Sequence, residues 1–357
     1  MEKNYIRLIY LDIIRIFACL CILLIHFNAS VSGYDIFGYF AYSNHLVPNY
    51  YYGCYLGTIG VGLFFLLTGA CLQYVYSGME KNKNSSIWNF YKKRYLSLFP
   101  CYYVTFFAFT LFSFMWYKAY PDFKIGHLLS SLLGIDGYLM AMRGVGYETY
   151  QCGEWFLGWI ICLYIIYPPL SWLANNYPKS TTVITLGSYL LLINMGLKDI
   201  WFFFQIPYLL LGIFFIKYFC SALSWKLWLP TLSLFAIRIF CEKYMQPHTI
   251  HLITCWLLFL SITLLTELIE KYSSLFKSEK LLNYIAYISI LTYPLFLAHH
   301  KIIALMAISF DLTNFPYRST VLLFVVYMLI TCVIAHHLHK FEQYLKNNLF
   351  VGRYKSS

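Results

Sequence analysis

Windows of mostly apolar residues recur along the whole sequence, and they constrain the fold more than any other feature. A helix needs about 20 apolar residues to cross the hydrocarbon core of a bilayer. About ten such windows are present, at residues 8–29, 53–76, 97–117, 154–173, 181–197, 200–219, 227–241, 249–269, 284–306 and 319–339. No segment between them is long enough for a soluble domain. The sequence therefore predicts an all-α polytopic membrane protein, with about ten transmembrane helices in one bundle and a single domain over residues 1–357.

The composition and the placement of charge agree with this architecture. Hydrophobic residues make up 60% of the 357 residues and charged residues only 11%, which leaves too little polar surface for a water-soluble globule. The net charge of +11 would suggest a nucleic-acid partner in a soluble protein. Here the Lys and Arg residues are concentrated in alternate segments between the windows, as the positive-inside rule describes. We therefore expect no nucleic-acid partner, contact with membrane lipids and both termini in the cytoplasm. The expected location is a bacterial inner membrane, which the chain crosses several times.

The sequence gives no support for a metal site. Its 11 cysteines lie mostly inside the apolar windows, without a CxxC pair or another ligand spacing, and we interpret them as free core thiols. The histidines of the apolar windows have no carboxylate pattern near them of the kind that completes a metal centre. We therefore expect no metal ion.

The first window contains RIFACLCILLIH at residues 15–26, which begins with an arginine and ends with a histidine. At 100° per residue, His26 returns to within about 20° of Arg15, so both lie on one helix face, about 16 Å apart. Asp12 falls on the same side. Since a lipid-facing arginine costs several kcal/mol, we expect this face to point into the bundle or a wet cavity. In the alternative, Asp12 and Arg15 lie at the cytoplasmic headgroups and His26 at the opposite interface.

The ninth window contains ISILTYPLFLAHHKII and supplies two further histidines, His299 and His300. In the predicted topology they lie in the outer half of their helix, at a depth similar to that of His26. Imidazole is the side chain most easily used as a general base near neutral pH. Two helices are therefore expected to offer imidazole at one level. The histidines of AHHLHK, at residues 335–340, are interpreted instead as headgroup anchors.

Several blocks, taken in order, resemble the acyltransferase 3 family of integral membrane acyltransferases. They are YLDIIRIFACLCILLIH with Arg15 and His26, GVGLFFLLTGACL with Phe64, Phe65 and Thr68, YKKRYLSLFPCYY, WFLGWIICLYIIYPPL, and ISILTYPLFLAHH. Together they cover most of the chain from residue 10 to about residue 300. Two positions depart from the family pattern: Ser97 stands where many relatives have a second basic residue, and Gly62 where many have Asp or Pro.

The resemblance implies an enzyme that transfers an acyl group, usually acetyl from acetyl-CoA, to a hydroxyl of a carbohydrate or related acceptor. An O-acetyltransferase acting on a cell-envelope polysaccharide or a lipid-linked sugar is the expected activity. The resemblance also implies that His26 is the leading catalytic residue and that Arg15 is an essential partner. Because acyl-CoA is a donor substrate, no permanently bound cofactor is expected.

The donor site is expected to be basic and to face the cytosol, because CoA carries several phosphates. Lys92, Lys93 and Arg94 meet both conditions, although the positive-inside rule explains them equally well. Arg15 lies too far along its helix from the general base to touch the same carbonyl. We expect Arg15 to line the donor path or to fix the helix through Asp12.

The remaining candidates carry weaker signals. Acceptor-binding or oxyanion-stabilising residues are predicted among His299, His300, Glu154 and Tyr293. Phe64 and Phe65 are interpreted as packing residues that support the site together with Thr68. Arg238, a charge inside the seventh window, is expected to extend outward or to pair with Glu242.

Two other classes of protein stay open. Intramembrane charge and histidine also mark the solute pathways of transporters, and a glycan-export component needs no acyl-transfer chemistry. Transporters commonly show internal repeats with paired broken helices, and this sequence shows no such symmetry. That favours the enzyme over the transporter, whereas nothing in the sequence excludes the export component.

Overall fold

The computed structural model describes residues 7–31, 46–51, 53–76, 87–117, 125–143, 152, 154–197, 202–219, 225–309 and 316–351. Its helices are α1 (Ile9–Val31), α2 (Leu56–Tyr76), α3 (Ile87–Tyr117), α4 (Ile125–Leu132), α5 (Asp136–Arg143), α6 (Glu154–Asn176), α7 (Pro178–Asn194), α8 (Ile206–Tyr218), α9 (Trp225–Phe240), α10 (Pro247–Tyr272), α11 (Glu279–Ser309) and α12 (Tyr317–Leu345). Two short strands, β1 (Tyr50–Tyr51) and β2 (Cys54–Tyr55), pair antiparallel directly before α2. The predicted all-α polytopic fold is confirmed.

Each predicted apolar window coincides with one helix. Among the described helices, α1, α2, α3, α6, α10, α11 and α12 are long and apolar enough to cross a membrane. The windows at 181–197, 200–219 and 227–241 correspond to α7, α8 and α9, which have 17, 13 and 16 residues. The side of the membrane on which each helix end lies stays a prediction.

The segment between α3 and α6 contains the helix pair α4 and α5, bent by 115°. Gly134 takes a φ of +69° in the turn, a conformation that favours glycine. The Ser131 hydroxyl donates to Asp136 Oδ2 at 2.7 Å, and both side chains are buried. Tyr102 of α3 donates to the Ser131 carbonyl at 2.6 Å, so the bend is fixed against α3.

The chain divides into two compact units. Unit 1 comprises Met1–Ile22, Tyr50–Asn89 and Ile160–Ile290, and unit 2 comprises Leu23–Asn49, Phe90–Trp159 and Leu291–Ser357. Helices α1, α3, α6 and α11 contribute residues to both units. The single domain expected over the whole chain stays a prediction.

In unit 1, α2 packs most extensively against α8. A Cβ atom at Gly69 would meet the carbonyl oxygen of Leu209, and one at Gly212 would meet that of Leu66. Small residues commonly allow membrane helices to approach this closely. These two glycines therefore set the contact between the backbones of α2 and α8.

In unit 2, aromatic side chains join α1 and α11 to their neighbours. Phe27 of α1 lies against Phe324 and Tyr327 of α12, with ring centroids 5.1 and 5.7 Å apart. The Tyr293 hydroxyl of α11 donates to the Leu98 carbonyl of α3 at 3.1 Å. These contacts hold the C-terminal part of α1 and the middle of α11 in place.

Candidate functional site

The carboxylate of Asp12, in the first turn of α1, is the centre of a polar cluster in unit 1. It accepts hydrogen bonds from Arg7 Nε at 2.5 Å, Arg7 Nη2 at 3.1 Å and Ser289 Oγ at 2.6 Å. Arg15 Nη1 donates to the same carboxylate at 3.3 Å. Asp12 is only 5% exposed, so its burial is compensated by these donors.

Three helices hold the guanidinium of Arg15. Its Nη1 donates to Ser289 Oγ of α11 at 2.8 Å, and its Nη2 donates to Cys71 Sγ of α2 at 3.2 Å. Asp12 lies one turn earlier in α1 and completes the set. The guanidinium therefore faces neighbouring helices and not lipid.

Arg7, Asp12, Arg15 and Ser289 form what we call the Asp12 cluster. Its net charge is positive, because two guanidinium groups share one carboxylate. The side chains of Arg7 and Arg15 are 51% and 29% exposed. A phosphate or carboxylate of a ligand can approach them, and guanidinium groups suit such anions.

In unit 2, His26 of α1 packs against two histidines of α11, whose own ring centroids are 6.1 Å apart. Its ring centroid is 4.9 Å from that of His299 and 4.9 Å from that of His300, with interplanar angles of 66° and 46°. His300 is exposed, His26 is half-buried and His299 is completely buried. The structure thus brings together three histidines that the sequence singled out.

The backbone of α11 fixes the orientation of His299. Its Nδ1 lies 2.7 Å from the carbonyl oxygen of Phe296. Since a carbonyl oxygen only accepts, Nδ1 donates this hydrogen bond. Phe296 packs edge-on against Phe156 of α6, with ring centroids 5.0 Å apart. The ring of His299 is thereby held in one orientation beside His26.

The other predicted acceptor-side residues are placed differently. Tyr293 is half-buried, and its hydroxyl links α11 to the Leu98 carbonyl. It lies seven residues before His300, two turns away on the same helix face. Glu154 is the first residue of α6, and its side chain lies outside the described residues.

The basic run on α3 spreads around the helix. Consecutive residues leave an α-helix about 100° apart, so Lys92, Lys93 and Arg94 point in different directions. Lys92 and Lys93 are exposed, whereas Arg94 is half-buried with a buried Nε. Ser97 donates to the Arg94 carbonyl at 2.8 Å. The accessible charge of the run is therefore carried by its two lysines.

The residues predicted to support the site belong to the packing of α2. Phe65 is completely buried and meets the ring of Tyr208 at 6.4 Å between centroids. Phe64 is half-buried, and Thr68 donates to the Phe64 carbonyl at 2.8 Å. These contacts belong to the helix that also carries Cys71, whose Sγ accepts a hydrogen bond from Arg15.

Arg238 is a buried charge in unit 1. It is 7% exposed, and its Nε donates to Thr254 Oγ1 of α10 at 3.0 Å. Cys54 Sγ donates to the same hydroxyl at 3.3 Å. Arg238 therefore points into unit 1 and does not extend outward. The side chain of Glu242 lies outside the described residues.

Several contacts at these clusters carry no signal in the sequence. Arg7 lies just before α1, where helical periodicity does not apply, and Cys71 and Ser289 are ordinary residues of apolar windows. Their proximity depends on how helices pack.

In the part of the chain that the structure describes, no group of three or more His, Cys, Asp or Glu side chains is arranged to hold a metal ion.

Comparison with protein families decides the class of this chain. The acyltransferase 3 family model, described as an acyltransferase domain, matches residues 8–337. The chain belongs to this family. The match includes Asp12, Arg15 and the three histidines, and it identifies the protein as a membrane acyltransferase with several membrane-spanning helices. Searches among curated proteins and among solved structures found no match.

Proposed function

We propose that this membrane acyltransferase is an O-acetyltransferase of a bacterial inner membrane. It moves an acetyl group from cytosolic acetyl-CoA to a hydroxyl of a cell-surface polysaccharide or a lipid-linked sugar, without a permanently bound cofactor. The observation that carries this proposal is the contact of the His26 ring with the rings of both His299 and His300.

Among the three histidines, His26 is best suited to act as the general base. His299 is completely buried, and its Nδ1 is bound to a main-chain carbonyl. His26 is half-buried, so its ring has both protein neighbours and an accessible edge. A supported but accessible imidazole can take a proton from a bound hydroxyl near neutral pH.

The reaction balances with donor and acceptor alone. His26 takes the proton of the acceptor hydroxyl as the hydroxyl oxygen attacks the thioester carbonyl carbon. The carbon–sulfur bond then breaks, and the imidazolium returns the proton to the sulfur of CoA. The products are an ester and a free thiol. A positioned general base contributes about 10²- to 10⁴-fold to the rate of such a step.

The neighbouring histidines have separate roles in this proposal. The ring of His299, with its centroid 4.9 Å from that of His26, packs against His26 and so orients it toward the acceptor. His300 is exposed and 4.9 Å from His26, which makes it the better contact for the acceptor.

The donor side of the proposal uses Arg15 and the basic run on α3. Asp12 and Ser289 orient the guanidinium of Arg15, and the remaining positive charge of this cluster attracts the phosphates of CoA. Lys92, Lys93 and Arg94 add positive charge for the same phosphates.

An acetyl-transfer assay tests the proposal. The purified protein, in vesicles, receives acetyl-labelled acetyl-CoA on the side of its termini and cell-envelope glycan as the acceptor. We expect alkali-labile label on the glycan and an equal amount of free CoA thiol. Uptake of label without an ester would identify a transporter. The absence of both ester formation and uptake would favour an export component.

A further inference from the structure

An apolar groove of about 820 Å³ separates α3 from α12 in unit 2. Tyr95, Phe99 and Phe107 contribute to its α3 wall, and His337 and Phe341 contribute to its α12 wall. Tyr95, Phe107 and Phe341 are 47, 56 and 50% exposed. In a bilayer, an open groove of this kind is directly accessible to a lipid chain.

The α3 wall of the groove is an ordered row of aromatic rings. Tyr95 stacks on Phe99 with centroids 4.6 Å apart, and Phe99 lies 5.4 Å from Tyr103. The Tyr103 hydroxyl donates to the Leu132 carbonyl of α4 at 2.9 Å. The polar end of this ring is thus held by α4. The rings therefore form a fixed apolar surface before any ligand arrives.

The groove runs along the helix axis. Its α3 wall extends from Tyr95 to Leu111, about 24 Å at 1.5 Å per residue. A bilayer core is about 30 Å thick. An occupant therefore lies along the membrane normal, as the acyl chain of a lipid does.

A cation marks the end of the groove where α3 begins. Lys92 lies seven residues before Phe99, so it is on the same helix face, and it is exposed. Across the groove, Lys346, the residue directly after α12, is bound to Glu342 at 2.5 Å. In the predicted topology this end of the groove is cytoplasmic, at the level of lipid headgroups. Basic positions beside a groove between helices suit anionic headgroups.

We propose that the α3–α12 groove binds one anionic phospholipid of the cytoplasmic leaflet. Its fatty acyl chain lies along the aromatic row, and its phosphate contacts Lys92. The charge at Lys92 favours an anionic over a zwitterionic lipid. This inference does not depend on the acyl-transfer chemistry, and it leaves Lys93 and Arg94 of the basic run for the donor phosphates.

Photocrosslinking tests the proposal on the unmodified protein. The probe is phosphatidylglycerol with a diazirine at the end of one acyl chain, and phosphatidylcholine with the same chain is the comparison. We expect adducts within Phe99–Leu111 and Ile334–Leu345, several-fold more with phosphatidylglycerol. Equal labelling by both lipids, or adducts spread over all helices, would overturn the proposal.

Matched variants locate the site. Ala108 lines the groove and is exposed, so Ala108→Trp fills it, whereas Ala236→Trp adds the same ring at an exposed position of α9. We expect Ala108→Trp to lower labelling about tenfold, which corresponds to a tenfold loss in affinity for the lipid. Ala236→Trp should leave labelling unchanged. Lys92→Ala should remove the preference for phosphatidylglycerol, and Lys93→Ala should keep it.

The experiment is done without acyl-CoA, so that donor binding does not affect the readout. Each variant must elute as a single species and unfold near the wild-type temperature. A different result would be that the wild-type protein is a dimer, that Ala108→Trp dissociates it, and that lipid labelling does not change. This would show that a second copy of the chain covers the groove. That result contradicts the lipid proposal.

Discussion

The imidazole of His26 lies 4.9 Å, between ring centroids, from that of His299, whose Nδ1 is bound to the Phe296 carbonyl. The orientation of His26 is thereby coupled to the main chain of α11. A base that is fixed in this way loses less entropy when it meets the acceptor, because its ring is already positioned. The two histidines are therefore expected to contribute unequally, one to the proton transfer and one to its geometry.

Replacing His26 with alanine is expected to abolish acetyl transfer. The loss should be at least about 10²-fold, the lower contribution of a positioned general base. The measurement is the rate of labelled ester formation at equal amounts of inserted protein. His248→Ala is the matched control, because this imidazole packs against Phe204 at 5.5 Å in unit 1. Full activity in His26→Ala would remove His26 from the role of base.

Replacing His299 with alanine is expected to lower kcat and to leave the KM for acetyl-CoA unchanged. His299 is buried and acts through His26, so the loss should be smaller than that of His26→Ala. Steady-state kinetics at saturating acceptor separate the two constants. A change in KM alone would contradict the positioning role and would place His299 on the donor path.

Replacing Asp12 with asparagine is expected to lower the free energy of unfolding by about 1–3 kcal/mol, below the value for a fully buried pair because both arginines are partly exposed. Arg7→Ala should cost less than about 1 kcal/mol, since exposed ion pairs contribute little. Denaturation of the detergent-solubilised protein measures both. Equal losses would show that Asp12 does not organise its cluster.

The sequence was sufficient to predict elements that a bilayer itself dictates. The window at 8–29 became α1 (Ile9–Val31), because a membrane helix must be both apolar and long enough to cross. Helical periodicity also placed Asp12 and Arg15 side by side. Such predictions succeed because they depend only on the sequence of a single helix and on the bilayer that surrounds it.

The sequence did not predict which helices contact each other. It also did not predict turns that depend on the backbone conformation of one residue. Ser289 meets Arg15 only because α11 packs beside α1 in unit 1, and periodicity carries no information on which helices are neighbours. The bend between α4 and α5 depends on the left-handed conformation of Gly134. The roles assigned to Arg15 and His26 stay predictions that the experiments described here test.

Replacing Gly69 with alanine is expected to destabilise unit 1 by about 1–3 kcal/mol, the usual cost of overpacking. The new methyl group would meet the Leu209 carbonyl, a backbone atom that cannot rotate away. Gly187 of α7 is the control, because a Cβ atom there meets nothing within 4 Å. Gly187→Ala should be neutral or stabilising by up to about 1 kcal/mol. Thermal unfolding compares them, and similar losses would contradict a close α2–α8 contact.

Donor binding is expected to protect Cys71 from alkylation. Arg15 Nη2 donates to Cys71 Sγ at 3.2 Å, so a donor bound at this guanidinium covers the thiol. The assay uses a protein in which the other half-buried cysteines and Cys220 are replaced by serine; the half-buried ones are Cys162, Cys241 and Cys332. Burial raises the pKa of the Cys152 thiol, which lies outside the helices, so this residue should react slowly.

A thioether analogue of acetyl-CoA, which has no free thiol, is the protecting ligand. We expect it to slow maleimide labelling of Cys71 several-fold in the protein with Arg15 and to have no effect in Arg15→Ala. Arg15→Lys should restore part of the protection, because it keeps the charge but not the planar donors. Labelling at the same rate with and without the analogue would show that Arg15 does not line the donor path. In that case its contacts with Asp12 and Ser289 would serve only to hold α1 against α11.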